Sequence, residues 1–120
     1  MSGEAIIWHN PRCSKSRRTL DLLREEGVEP TVRLYLSDAP DEREIRSVLA
    51  ALGLDDPRAL MRTCEPVYRE EGLDEVSDPD ALVDAMARHP ILIERPVVIA
   101  RGRAVIGRPP EAVLALLRAQ

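Results

Sequence analysis

The chain of 120 residues contains no phenylalanine, one tryptophan and two tyrosines. Aromatic platforms on which bases could stack are therefore scarce. With a formal net charge of −4, this argues against a nucleic-acid partner. No apolar run approaches the length of a membrane span, which argues against insertion in a bilayer. No basic start leads into a long apolar stretch, so no secretory signal is visible and a cytoplasmic location is expected. Cysteine is nearly absent too: only Cys13 and Cys64 occur. In a reducing compartment such a pair reads as reactive or buried thiols, not as a structural staple. Lysine is represented by Lys15 alone, and every other basic side chain is arginine. That bias is also what a GC-rich coding sequence produces, so positions carry more meaning than the count.

What remains organises into one domain of ordinary size over residues 1–120. An apolar run gives an opening strand at Ala5 to His9. Ser14 to Glu26 follows as a helix, with Gly27 as its stop. Thr31 to Leu36 alternates and is rich in β formers, predicting a second strand, parallel to the first through a βαβ unit. The middle, about 41–90, predicts a helical insert subdomain. Asp41 and Glu44 form a capping-box pattern ahead of Ile45, Val48, Leu49 and Leu52 at helical spacing. Pro57 to Met61 predicts a short helical turn. Asp78-Pro79 predicts a helix start, with Leu82, Ala85 and Met86 inward and Pro90 as the stop. Val97–Ala100 and Ala104–Ile106 around Arg101-Gly102-Arg103 predict a hairpin. A last helix opens at Pro109-Pro110-Glu111, with Val113, Leu114 and Leu117 inward. The fold class is α/β: βαβ, a helical insert, then ββα on a mixed four-stranded sheet.

The chemistry concentrates at His9-Asn10-Pro11-Arg12-Cys13-Ser14-Lys15-Ser16. This stretch delivers a cysteine at a strand-to-helix junction, with Arg12, Lys15, Arg17 and Arg18 around it. The free amides and dipole of a helix start favour negative charge. They favour the thiolate, which is the nucleophile, and would also hold an oxyanion. A free cysteine is often simply buried, but this placement points to function. Ser16 stands where a dithiol motif has its second cysteine. A second thiol would have to come from Cys64, from glutathione or from a partner protein. Cys64 itself reads as incidental.

Arg95-Pro96 precedes the apolar strand. It is either an ordinary proline at a strand start or a cis bond that turns Arg95 toward Cys13. Arg62 ends a helical turn and Arg108 precedes Pro109. A single arginine is most often a solvated charge. Three converging on one thiol would clamp a tetrahedral oxyanion. His9, four residues before Cys13, would support the thiolate if protonated nearby. His89 suits a helix C-terminus.

The combination of His9-Asn10-Pro11-x-Cys13, Arg62, His89-Pro90-Ile91-Leu92-Ile93-x-Arg95-Pro96 and Arg108-Pro109 resembles the glutaredoxin-coupled arsenate reductases, in order and spacing from Ile6 to Leu117. Ser14 and Lys15 stand where the best-studied of those reductases are expected to carry glycine and threonine after the cysteine. The resemblance implies a thioredoxin-like fold and an arsenate reductase. Cys13 would be the nucleophile, tuned by His9. Arg62, Arg95 and Arg108 would hold arsenate or a similar oxyanion, with Ser14, Ser16 and Arg12 as auxiliary residues. Glutathione would be co-substrate and glutaredoxin the partner, with no metal and no bound cofactor. Two other readings remain open: a glutathione-dependent thiol-disulfide oxidoreductase, motivated by Cys-x-x-Ser, and a transcriptional regulator of the same fold, which the missing second cysteine disfavours.

Overall fold

The computed structural model describes residues 5–118, which divide into two compact units. The first comprises 5–38 and 95–118, the second 39–94. In the first, β1 (Ile6–Trp8) leads into α1 (Ser14–Glu25) and then β2 (Thr31–Arg33). The hairpin β3 (Val97–Ala100) and β4 (Arg103–Ile106) is followed by α5 (Ala112–Arg118). The sheet order is β2-β1-β3-β4, with β2 parallel to β1 and the other pairs antiparallel. This is the mixed four-stranded α/β sheet that the sequence predicts.

Strand alternation directs Ile7 and Val98 to one face, where they meet Leu22 and Leu23 of α1 and Val113 and Leu116 of α5. Leu114 and Leu117, expected inward, pack partly buried against this core, while Leu116 takes the deeper place. The helix α1 ends in a Schellman motif: Gly27 at φ 83° donates to Arg24 O, and Val28 donates to Leu23 O.

Two strands are shorter than expected. In β1 only Ile6–Trp8 pairs fully, although Ala5 O and His9 N still bond to Thr31 and Arg33. The expected strand to Leu36 stops at Arg33 for want of a partner, because β1 turns away into Asn10-Pro11. The chain instead folds back, with the Ser37 and Asp38 amides both donating to Leu34 O. Tyr35 is buried and Leu34 and Leu36 are exposed, so the alternation is real but does not mark a strand.

The second unit contains α2 (Glu42–Leu52), α3 (Pro66–Glu70) and α4 (Pro79–Arg88), with 3-10 turns at Pro57–Leu60, Leu73–Glu75 and Pro90–Leu92. The capping box forms: the Asp41 side chain accepts from Glu44 N at 2.8 Å, and the Glu44 carboxylate accepts from Asp41 N at 3.0 Å. Asp78 caps α4 by accepting from Asp80 N. Ile45, Val48 and Leu49 are buried, as are Leu82, Val83, Ala85 and Met86. A short antiparallel contact pairs Met61 with Ile93, closed by Arg62 N to Leu92 O and Glu94 N to Leu60 O, each 2.7 Å. The segment from Pro66 to Glu75 carries no periodic pattern. Arg58 organises it, donating to the Tyr68 hydroxyl, to Leu73 O and to Val76 O.

Candidate active site

Cys13 is the N-cap residue of α1, with extended backbone at φ −96° and ψ 122°. The turn before it is closed by Cys13 N donating to Asn10 O at 3.0 Å, and Arg12 N donates to the Asn10 side chain, also at 3.0 Å. Proline and asparagine build this turn naturally. No side-chain hydrogen bond of capping geometry is made by the thiol. The second and third amides of α1, those of Lys15 and Ser16, nevertheless favour its thiolate by hydrogen bonding. Burial pushes the Cys13 thiol up, but the Ser16 amide, a hydrogen bond from Arg95, the Lys15 amide and the Arg95 charge outweigh it. The net effect lowers the thiol below its ordinary range, which enriches the thiolate at neutral pH.

Arg108 approaches from the end of β4. Its terminal nitrogen lies 3.7 Å from Cys13 Sγ, and its Nε donates to Arg95 O at 2.8 Å. Both Arg95–Pro96 and Arg108–Pro109 are cis. Two guanidinium groups thus serve one half-buried thiol. Such donors match the oxygens of a tetrahedral anion.

His9 bonds to Ser16, three residues beyond Cys13. Its Nδ1 is 2.7 Å from Ser16 Oγ, and that hydroxyl accepts from Asn10 N at 3.1 Å. Burial, with the charges of Arg24 and Arg17, lowers the His9 imidazole below its ordinary value. The ring is therefore neutral near pH 7, and direct support of the thiolate by imidazolium is disfavoured. Ser16 is fully buried and ties the strand end to the first turn of α1. Ser14 is exposed at the first position of α1, and Arg12 is exposed on the preceding turn.

Arg62 belongs to the second unit. Its Nε donates to Glu65 at 2.9 Å and its terminal nitrogen to Glu94 at 3.1 Å, with all three side chains 15–24 % exposed. Its other terminal nitrogen is 3.9 Å from Cys64 Sγ, and Cys64 is exposed. The two carboxylates hold Arg62, and sequence reasoning missed both. The i,i+3 spacing of Glu65 was a visible signal, whereas Glu94 is 32 residues away. Asn10, Thr19 and Gly107 were missed also. Among the described residues no cluster of histidine, cysteine and carboxylate is arranged to hold a metal ion, and no helix is long and apolar enough to cross a membrane.

The chain as a whole is similar to known proteins. The chain is 50 % identical over 118 residues to the uncharacterized protein YfgD of Escherichia coli strain K12, covering 98 % of this chain and 99 % of that protein. It is 48 % identical over 115 residues to an arsenate reductase of Neisseria meningitidis strain MC58, covering 95 % and 98 %. The solved structure of an arsenate reductase from Vibrio cholerae aligns with a TM-score of 0.93 at 46 % identity, over 96 % of this chain and 98 % of that one. The first unit's sheet and flanking helices therefore have the thioredoxin-like order. The ArsC family model matches residues 8–116, and with these relatives it shows that the chain belongs to the ArsC family.

Proposed function

We propose that this protein reduces arsenate to arsenite through the Cys13 thiolate. The observation that carries the reading is the convergence of Arg95 and Arg108 on a thiol whose pKa is lowered from its ordinary value. A redox thiol alone needs no such pair. An oxyanion substrate does, because two guanidinium groups offset the charge of arsenate and of the sulfur that attacks it. The named arsenate reductases among the relatives support the same substrate. The role of Arg62 as a further oxyanion ligand rests on the family resemblance.

In the first step Cys13 sulfur bonds to arsenic(V), and one arsenate oxygen departs as water after protonation. Glutathione sulfur then attacks the Cys13 sulfur. The sulfur–arsenic bond breaks with its electron pair going to arsenic, which becomes arsenic(III) and leaves as arsenite. Cys13 is left in a mixed disulfide with glutathione. Glutaredoxin takes the glutathionyl group and returns the thiol. Two thiols are oxidised for each arsenate reduced, so the electrons balance, and no metal or bound cofactor takes part. Glutathione chemistry of this kind belongs to the cytoplasm.

The test is arsenate-dependent NADPH oxidation in the presence of glutathione, glutaredoxin and glutathione reductase. Turnover by the wild type that disappears in Cys13→Ser is expected. Absence of turnover in the wild type, with Cys13 still titrating as an acidic thiol, would remove arsenate as substrate and favour disulfide exchange with glutathione.

A further inference from the structure

Gly107 closes β4 at the point where that chain passes α1 and the start of β3. A Cβ built there would lie 2.6 Å from Thr19 Oγ1, 2.8 Å from Pro96 Cγ and 3.1 Å from Thr19 Cγ2. Its backbone is not left-handed, so the need is for space and not for a glycine conformation. Neither neighbour retreats easily. Thr19 is fully buried and β-branched, and its hydroxyl donates to Lys15 O at 2.8 Å. Pro96 is a ring held directly ahead of β3.

The same residue is the centre of a tight turn. Arg108 N donates across it to Ile106 O at 2.8 Å, and Gly107 N donates to Pro96 O at 2.9 Å. The next residue in the chain is Arg108, whose side chain reaches both Arg95 O and Cys13 Sγ. A close backbone approach at residue 107 is thus passed directly to the guanidinium on the thiol. We propose that Gly107 is a positioning residue of the thiol site, its missing side chain allowing the approach to Thr19 and Pro96 that carries Arg108 to Cys13.

This rests on Cys13 being the reactive group but not on arsenate being its substrate, and the test separates the two. Gly107→Ala, Thr19→Ala and the double variant are made in a Cys64→Ser chain, so that Cys13 is the single thiol. The pH profile of iodoacetamide alkylation is measured together with arsenate kcat/KM. In Gly107→Ala the alkylation midpoint is expected to move to higher pH. Arsenate kcat/KM is expected to fall on the order of 10²-fold, the effect of displacing a reacting-site group by about 1 Å. Thr19→Ala removes the two Thr19 contacts. In the double variant, where only the Pro96 contact remains, it should bring the midpoint part of the way back toward that of Thr19→Ala alone, which a general loss of stability would not do.

A folded Gly107→Ala chain with an unchanged midpoint overturns the proposal. If Gly107→Ala does not fold, the double variant decides. Because the Pro96 contact remains in it, a midpoint above that of Thr19→Ala supports the proposal, and a midpoint matching Thr19→Ala overturns it. A double variant that also fails to fold, beside a folded Thr19→Ala, assigns Gly107 to folding and overturns it as well. Should the wild type fail to turn over arsenate, the alkylation profiles still decide the role of Gly107.

Discussion

The His9 imidazole and the Ser16 hydroxyl lie 2.7 Å apart, both buried, where β1 ends and α1 begins. This contact makes His9 a brace for the Cys13 turn. Its lowered pKa has a consequence for stability. The unfolded imidazole takes up a proton near pH 6.5 and the folded one only at lower pH. Between those values the unfolded state binds more protons, so stability rises with pH there. The contribution is fully present above pH 6.5 and is lost as pH falls through the folded value. The Tm of the wild type should therefore drop on acidification below about pH 6.5 more steeply than that of His9→Gln.

Ser16→Ala tests the other half of the brace. It leaves the His9 ring nitrogen and the Asn10 amide without their buried partner, an expected cost of about 1–3 kcal/mol in urea unfolding. Because Ser16 also supplies the amide nearest in effect to the Cys13 thiolate, the backbone contribution should persist in a folded variant. An alkylation midpoint close to wild type is the expected result, and a large upward move would show that the hydroxyl itself orders the turn.

Arg95 supplies both a hydrogen bond and charge to the thiolate. Arg95→Ala is therefore expected to move Cys13 alkylation to higher pH and to lower arsenate turnover by roughly 10²–10³-fold, the usual loss for one oxyanion donor. Arg95→Lys keeps the charge but not the fork of donors, so it should restore the thiol more completely than it restores turnover. Equal recovery of both would argue against oxyanion recognition at this position.

Much of this was legible in the sequence because the signals are local. The Asp41–Glu44 box, the Asp78-Pro79 start and the Gly27 stop each concern a few consecutive residues, and each forms as read. Cys13 at a helix start is local in the same sense. Leu34 to Leu36 misled because alternation reports burial, whereas a strand also needs a neighbour, and the neighbour had turned away at Asn10. The arginine partners were less accessible. Pairing of Arg62 with Glu94 depends on two chain segments meeting at Met61 and Ile93. The tight space at Gly107 depends on Thr19, which lies on another element and has no sequence mark of its own.

The Arg62 ion pairs should matter more than the exposed ones. Arg62 and its carboxylates are mostly shielded, at 15–24 % exposure, whereas Arg24 and Glu29 are 48 % and 71 % exposed. Shielding reduces screening and leaves an unpaired partner costly. Glu94→Ala is expected to destabilise by about 1–3 kcal/mol, against less than about 1 kcal/mol for Glu29→Ala. Urea unfolding of both variants at matched salt checks the ordering, and a Glu29→Ala effect equal to that of Glu94→Ala would contradict it.

The hairpin turn offers a gain in stability separable from chemistry. Arg101 and Gly102 both have positive φ, 55° and 76°, as a two-residue turn between β3 and β4 requires. Glycine accepts this freely, but arginine does so at a cost that asparagine largely avoids. Arg101→Asn should therefore stabilise the protein by about 0.5–1 kcal/mol, visible as a higher Tm. The register places the turn far from the thiol: Val97 pairs with Trp8 beside the Cys13 turn, whereas Ile99 pairs with Ile6 toward the opposite end of β1. The alkylation profile of Cys13 should accordingly remain that of the wild type. A raised Tm with an altered profile would mean that the hairpin transmits its position to Arg95 or Arg108, the residues that flank it in the chain.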